Sequence, residues 1–341
     1  MNFTFFKLQF ILQFIPFLRS EGVGEQHPIY EFLFGFEEEG YVFYPISHRD
    51  YFFYIVGLTL ILFLLLVFIF ILNVKGRKRL SRQNKMLKEA SAQIQASIHY
   101  ASQIQQALLP DLKEAKSYFS SYGVFYKPRD VVSGDFYWFA KREDELFVVA
   151  MDCTGHGVPG AFLTLLVYQE IRKIIFEKKI SSPSQILTEL QTEFSAIIRR
   201  EGDELSDGAE VGICRIDAQT KTLTFSGAKM DLMHLQNGKL HKWKGSKAWI
   251  GHGLNKREHI FDETSLVCAE KDKFFLFSDG FVDQFGGPKN RKFMASQLEN
   301  MLVAHSDESP AAMVDLLQNA FLQWKGTQAQ TDDVLILGFQ L

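Results

Sequence analysis

Cysteine is scarce in this chain: three in 341 residues, at 153, 214 and 268, none in a CxxC spacing. That excludes a disulfide scaffold and a zinc ribbon, and it suits a reducing compartment for the second half. A basic excess is also missing, with 37 Lys and Arg against 40 Asp and Glu and a net charge of -3. No nucleic-acid partner is therefore expected. There is no Walker sequence, and the residues six after each cysteine are Pro159, Thr220 and Phe274, so no arginine closes a cysteine-phosphatase loop. Charge is absent from residues 51–74, and proline and glycine from 80–108. What abounds is phenylalanine, 33 residues, many of them in the first 75.

The uncharged run is 24 residues long. At about 1.5 Å rise per residue it spans about 36 Å, enough for a hydrocarbon core of about 30 Å with some tilt. A core helix of that length would carry a polar stripe, and this one has none. Lys75, Arg77, Lys78, Arg79, Arg82, Lys85 and Lys88 follow it with no acid until Glu89. Residues 21–50 before it hold seven acids and one base, Arg49. The positive-inside rule then puts the C-terminal side in the cytoplasm. Residues 3–18 are apolar too but interrupted by Lys7, Gln9, Gln13 and Pro16; a signal peptide and a second span both remain open.

Beyond the basic cluster, Leu80, Leu87, Ile94, Ala101 and Leu108 recur every seven residues, with Gln83, Ala90, Ser97 and Ile104 at the other seam position. A weak coiled coil, or signalling helix, and a single amphipathic helix packed on its own domain fit this pattern equally. Pro110 ends it. The expected organisation is an apolar N-terminal segment and short extracytoplasmic stretch (1–50), a transmembrane helix (51–74), a basic juxtamembrane and connector helix (75–117), and a folded domain (118–341).

In that domain the alternation predicts strands at 124–127, 136–141, 146–152, 211–217, 222–226, 232–236, 239–243, 260–268, 274–278 and 334–340. Helices are predicted at 161–179, 183–200, 292–305 and 310–325. Short connections such as NGK at 237–239 mark hairpins. Grouped antiparallel strands with paired helices indicate an α+β fold, not βαβ winding.

The acids sit at strand ends. Asp152 ends LFVVAM, Asp279 follows FFLFS, Asp332 and Asp333 open VLILGF, and Asp135 heads FYWF. For any one of them a turn role is the simpler reading, but four in one positional pattern point to a shared site. Gathered at buried strand ends, they need a countercharge. No Lys or Arg adjoins them in sequence, which makes a metal the expected one, and oxygen-only ligands select Mn²⁺ or Mg²⁺. The stretch 155–160, GHGVPG, is literally GxGxxG. Asp152 would face a bound pyrophosphate there and no parallel crossover follows, so a dinucleotide site is rejected. Its glycines can instead let backbone approach a metal site, with His156 as a phosphate or water contact or as a loop hydrogen bonder.

SGDFYWF (133–139), MDCTGHGVPGAF (151–162), FLFSDGFVDQFGGP (275–288) and QTDDVLILGF (330–339) resemble the metal-dependent type 2C protein phosphatases, and more closely their bacterial SpoIIE and RsbU branch. SIHYASQIQQALLP (97–110) is similar to the segment that precedes this domain. The resemblance implies a two-layer antiparallel β-sandwich flanked by helix pairs, and hydrolysis of phosphoserine or phosphothreonine at a two-ion centre. It implies that Asp152 bridges both ions with help from the Cys153 backbone carbonyl. Asp279 and Asp332 would hold one ion, and Asp135 would bind directly or through water, with Asp333 a weaker candidate. Ala209-Glu210 and Met230-Asp231 depart from the commoner pairings, which bears on substrate recognition. The implied substrate is a phosphorylated anti-anti-sigma regulator of the STAS type. The uncharged run and its flanking charges place the chain in the bacterial cytoplasmic membrane, crossing once or twice with the catalytic domain inside, and the heptad seam points to a homodimer through the connector helix. The rival is a catalytically silent receptor or scaffold that binds a phosphoprotein; such a chain should have lost a carboxylate, and none is missing.

Overall fold

The computed structural model describes residues 48–198, 207–251 and 261–341. The apolar segment at 3–18 and the acids at 21–47 lie outside the described residues, as do the predicted helix end at 199–200 and strand start at 260. The chain divides into two compact units, 1–89 and 90–341. A single unbroken helix, α1 (His48–Leu108, 61 residues), carries the uncharged run, the basic cluster and the heptad stretch. Within the first unit it is long and apolar enough to cross a membrane, and its large apolar side chains over 52–72 are exposed.

The second unit continues from the end of α1 through one turn, α2 (Leu112–Ala115), into β1 (Ser121–Lys127), β2 (Asp135–Arg142) and β3 (Glu145–Cys153). Next come α3 (Gly157–Arg172), a π-helical turn (Lys173–Glu177) and α4 (Pro183–Ile198). Then follow β4 (Ala209–Asp217), β5 (Thr222–Ala228), β6 (Leu232–Gln236), β7 (Lys239–Trp243), β8 (Thr264–Val267) and β9 (Lys273–Phe277). The chain closes with α5 (Gly280–Asp283), a small hairpin β10 (Phe285–Gly286) and β11 (Arg291–Lys292), α6 (Ala295–Ala304), α7 (Pro310–Lys325) and β12 (Val334–Gln340).

Two five-stranded sheets form, in the orders β1-β12-β9-β6-β7 and β2-β3-β4-β5-β8, and every described pairing between their strands is antiparallel. Strand alternation sorts the side chains into three cores. Leu146, Val148 and Ala150 of β3 join Phe274, Leu276, Leu335 and Leu337 of the other sheet between the layers. Phe147, Val149 and Met151 face the opposite way, onto Val167, Ile171, Leu190 and Phe194 of α3 and α4. The other sheet's outer face buries Phe275 and Ile336 against Leu298, Leu302, Leu317 and Phe321 of α6 and α7. Strands covered on both faces read as continuous apolar runs, which is why LFVVAM has no polar interruption.

A predicted helix is corrected at its start. The helix expected at 292–305 begins only at Ala295, because Arg291 and Lys292 pair with Gly286 and Phe285. Met294 then takes φ +76, a backbone conformation that does not extend a helix. Gly286 and Gly287 make the hairpin possible, since a Cβ on either would strike Trp324 at under 3 Å.

Candidate active site

The parity that builds the inter-sheet core also aims the acids. Asp135 pairs with Asp152, and Asp152 with Glu210, directly across β2, β3 and β4. Directly opposed residues in a sheet share a face. Asp152 continues the series Leu146, Val148, Ala150, so the acidic row ends the apolar layer between the sheets. From the other sheet, Ser278 donates through its hydroxyl to Asp135 Oδ2 at 2.6 Å and accepts the Leu335 N–H at 2.8 Å. That serine ties β9 and β12 to the row. Asp279 is the residue before α5, just beyond the row, and its side chain makes no capping hydrogen bond.

The two adjacent aspartates before β12 have separate work. Asp333 is buried, and its two carboxylate oxygens accept the N–H groups of Arg129 (2.6 Å) and Gly134 (2.7 Å). It anchors the loop that leads to Asp135. Asp332 is exposed; its carboxylate accepts its neighbour's N–H at 2.8 Å and its backbone carbonyl accepts from the Gln330 amide at 2.8 Å. The GHGVPG stretch is a packing device: a Cβ on Gly160 would lie 2.2 Å from the Gly155 carbonyl oxygen. His156 Nδ1 lies 2.8 Å from Asp130 Oδ2, a hydrogen-bonding role within the loops. The Cys153 thiol points into the core under α3, where burial pushes it far up, so it is no nucleophile.

Electrostatically the row is under load. Burial first, then the charge of Asp152, holds the Asp135 carboxyl well above the usual range. Asp152 is likewise raised, by burial and then by Asp279, Glu210 and Asp332. Asp279 is pushed up to about 6 by desolvation, with Asp332 and Glu210 adding to it. Opposing charges are few: Lys229 pairs with Glu210 and is felt by Asp279. An oxygen-only donor set short of positive charge fits a hard divalent cation. The side chains stand near one another without converging, since among the described residues no three His, Cys, Asp or Glu group as ligands of one ion.

Glu210, marked in the sequence only as part of an unusual pair, and Lys229 were not expected beside the aspartates, because the first depends on strand register and the second on its ion pair with Glu210. The parity of VGICRID, which sends Cys214 and Ile216 inward, sends Glu210 the same way and was the available signal.

The profile of stage II sporulation protein E (SpoIIE) matches residues 142–341. The chain belongs to the SpoIIE family. Its second unit is a PP2C-type serine/threonine phosphatase domain, with the α+β fold and paired antiparallel sheets of that class. The SiaA PP2C domain of Pseudomonas aeruginosa is 30% identical, with a TM-score of 0.67 over 74% of this chain and 98% of that one. The SpoIIE phosphatase domain with a regulatory fragment from Bacillus subtilis shares the fold at 16% identity and a TM-score of 0.52, over 65% of this chain and 63% of its own. So do the RsbU and RsbW domains of a Mycobacterium tuberculosis protein, at 18% and 0.51, over 64% and 59%. No curated protein matches the chain in sequence.

One contact links the loop before Asp135 to the helix that precedes this SpoIIE-family domain. Gln105 of α1 is buried, donates to the Ser133 carbonyl at 2.7 Å and accepts the Ser133 N–H at 3.0 Å. Ser133 Oγ in turn accepts the Asp135 N–H at 3.1 Å. Gln105→Ala leaves buried Ser133 backbone groups without this partner, at a cost of about 1–3 kcal/mol. Urea unfolding should show a lower midpoint at an unchanged slope; an unshifted midpoint would mean that water replaces the amide.

Proposed function

We propose that this phosphatase is a membrane-anchored enzyme that removes phosphate from serine or threonine of a partner protein, using two Mn²⁺ or Mg²⁺ ions. Asp152, Asp279 and Asp332 would hold the ions, with Asp135 direct or through water and the Cys153 carbonyl assisting. The observation that carries this assignment is the acidic row closing the inter-sheet layer, where burial and neighbouring carboxylates hold Asp135, Asp152 and Asp279 above the usual carboxylate range. Bound divalent cations would supply Lewis-acid activation of water and neutralise charge at phosphorus. The chain's own residues do the positioning. Ser278 fixes one oxygen of Asp135, Asp333 secures the loop before it, and Gly134 lets the Cys153 carbonyl lie close, since a Cβ there would be 2.9 Å from that oxygen.

The anchor would be residues 51–74, with the basic cluster after them keeping the catalytic domain in the cytoplasm of a bacterial cell. The connector part of α1 would pair two copies into a homodimer, and the Gln105 contact supports its acting as the input to the site. The partner fits a folded phosphoprotein of the STAS type. Apolar side chains at Phe285 and Met294 are 41% and 55% exposed beside the hairpin, a rim able to grip a protein surface.

The test compares kcat/KM on a phosphorylated STAS-domain protein from the same genome with that on a phosphoserine peptide of matching sequence, with Mn²⁺ and with chelator. Activity should vanish with chelator, and the folded protein should be preferred by more than about tenfold, about 1.4 kcal/mol. Turnover that survives chelation sinks the ion assignment; a smaller preference sinks the partner assignment.

A further inference from the structure

We propose that Lys229 is a catalytic residue of this phosphatase, a fixed cation that binds the phosphoryl oxygens of the substrate at the end of the acidic row. The inference rests on reading that row as the phosphatase centre, and it adds a substrate contact to it. Val211 pairs with Ala228 at the end of β5, and Lys229, the next residue, brings its ammonium onto the Glu210 carboxylate. The row across β2, β3 and β4 runs Asp135, Asp152, Glu210, and the ion pair of Glu210 with Lys229 puts one base at its end. The Lys229 side chain is half-exposed, so its charge is open to an approaching anion.

The ammonium is held, not loose. It pairs with Glu210 and sits 5.2 Å from the centroid of the Trp249 ring, whose face favours a cation. Its backbone is held as well. Lys229 has φ +59, which side-chain-bearing residues rarely adopt, and its N–H donates to the Ser246 carbonyl at 2.9 Å. Gly227 and Gly245 make room for that loop, since a Cβ on either would lie 2.0 or 2.3 Å from the Met230 carbonyl oxygen. Asp231 closes it by accepting the Gly245 N–H at 2.9 Å. A strained lysine kept beside a site indicates that the charge is wanted there.

A phosphate ester is an anion, and acids repel it on approach. Lys229 answers that repulsion: its charge reaches both Asp279 and Asp152, and its pairing with Glu210 keeps it protonated. Lysine suits the task as a point charge for phosphate oxygens. Lys292 is also felt by Asp279, but its ammonium is taken by Asp283 at 2.8 Å and it lies off the row.

The test uses the full chain in detergent with Mn²⁺, para-nitrophenyl phosphate as substrate and inorganic phosphate as competitive inhibitor. Lys229→Gln should raise both KM and the phosphate inhibition constant about tenfold, and Lys229→Arg should keep both within about twofold. Glu210→Gln removes the partner but leaves the cation, so it should lower the phosphate inhibition constant. Unchanged constants in Lys229→Gln overturn the proposal. If that variant fails to fold, a Glu210→Gln constant that rises overturns it, because the pair is then only a strut. Asp152→Asn is run alongside: if it stays active, the reading of the row fails, and the Lys229 constants are then judged apart from it.

Discussion

Asp152→Asn is expected to lower phosphatase turnover by about a thousandfold, and at the same time to raise the melting temperature of the metal-free protein at pH 7. The two halves have one cause. Asp152 lies between Asp135 and Glu210 in the row and feels Asp279 and Asp332 as well. Asparagine keeps the shape and removes the charge on which cation affinity depends, and losses on this scale follow deletion of one electrostatic contact in a preorganised site. Without ions, that same charge is a liability. The sign follows from an acid whose folded pKa is raised. For Asp279, the cost is absent below its ordinary value of 3.8, grows as pH rises, and is complete above about 6. Asp152 is shifted in the same direction. Wild type in chelator should therefore melt below the variant at pH 7, with the gap narrowing toward pH 4. Differential scanning calorimetry across that range, paired with a Mn²⁺-dependent assay, checks both halves. A variant that turns over normally, or melts lower at every pH, would show that the row is neither the centre nor under repulsion.

Gly280→Ala should have the largest effect on stability. The residue follows Asp279 and opens α5, and a Cβ there would lie 1.8 Å from the Asp333 carbonyl oxygen and 3.2 Å from the Asp332 Cβ. The obstacle is backbone, so no rotamer relieves it. The turn after β9 and the lead into β12 must part, which draws Asp279 away from Asp332. Overpacking of this kind costs about 3 kcal/mol or more, which for a domain of this size lowers the melting temperature by about 6–12 °C. Activity should fall with it. Gly76→Ala is the control, with nothing within 4 Å of its Cβ, and should melt as wild type does. Equal melting of the two variants would refute the contact.

Local chemistry made much of the fold legible. Helix α7 was readable to the residue: Ser309 accepts the Ala312 N–H, Pro310 fills the first turn and Gly326 stops the helix at φ +52. Strands β6 and β7 were equally plain from the hairpin between them, and β12 from its continuous apolar run. What failed depended on partners far along the chain. Strand β1 starts at Ser121, not Val124, because Ser121, Tyr122 and Gly123 pair with Gln340, Phe339 and Gly338. The helix expected at 161–179 turns π-helical at Lys173, where no local signal marks the change. The aspartates could be seen individually as strand ends. That Asp135 would face Asp152 and Glu210 would extend the row depends on how three strands align; parity within β4 sets which face Glu210 takes, but not which residues lie opposite it.

That alignment also decides where evolution can lengthen or shorten this chain. Side chains alternate with a period of two, so one residue gained or lost inside β2, β3 or β4 would turn Asp135, Asp152 or Glu210 into the helix-covered core and expose core residues to the site. The hairpin tips at 143–144 and 218–221 carry no such penalty, because they lie at the far ends of these strands from the acids. Homologues should therefore differ in length at those tips and hold constant counts between them and the carboxylates, which makes the interval from Glu145 to Asp152 a fixed ruler for recognising the active centre in divergent members.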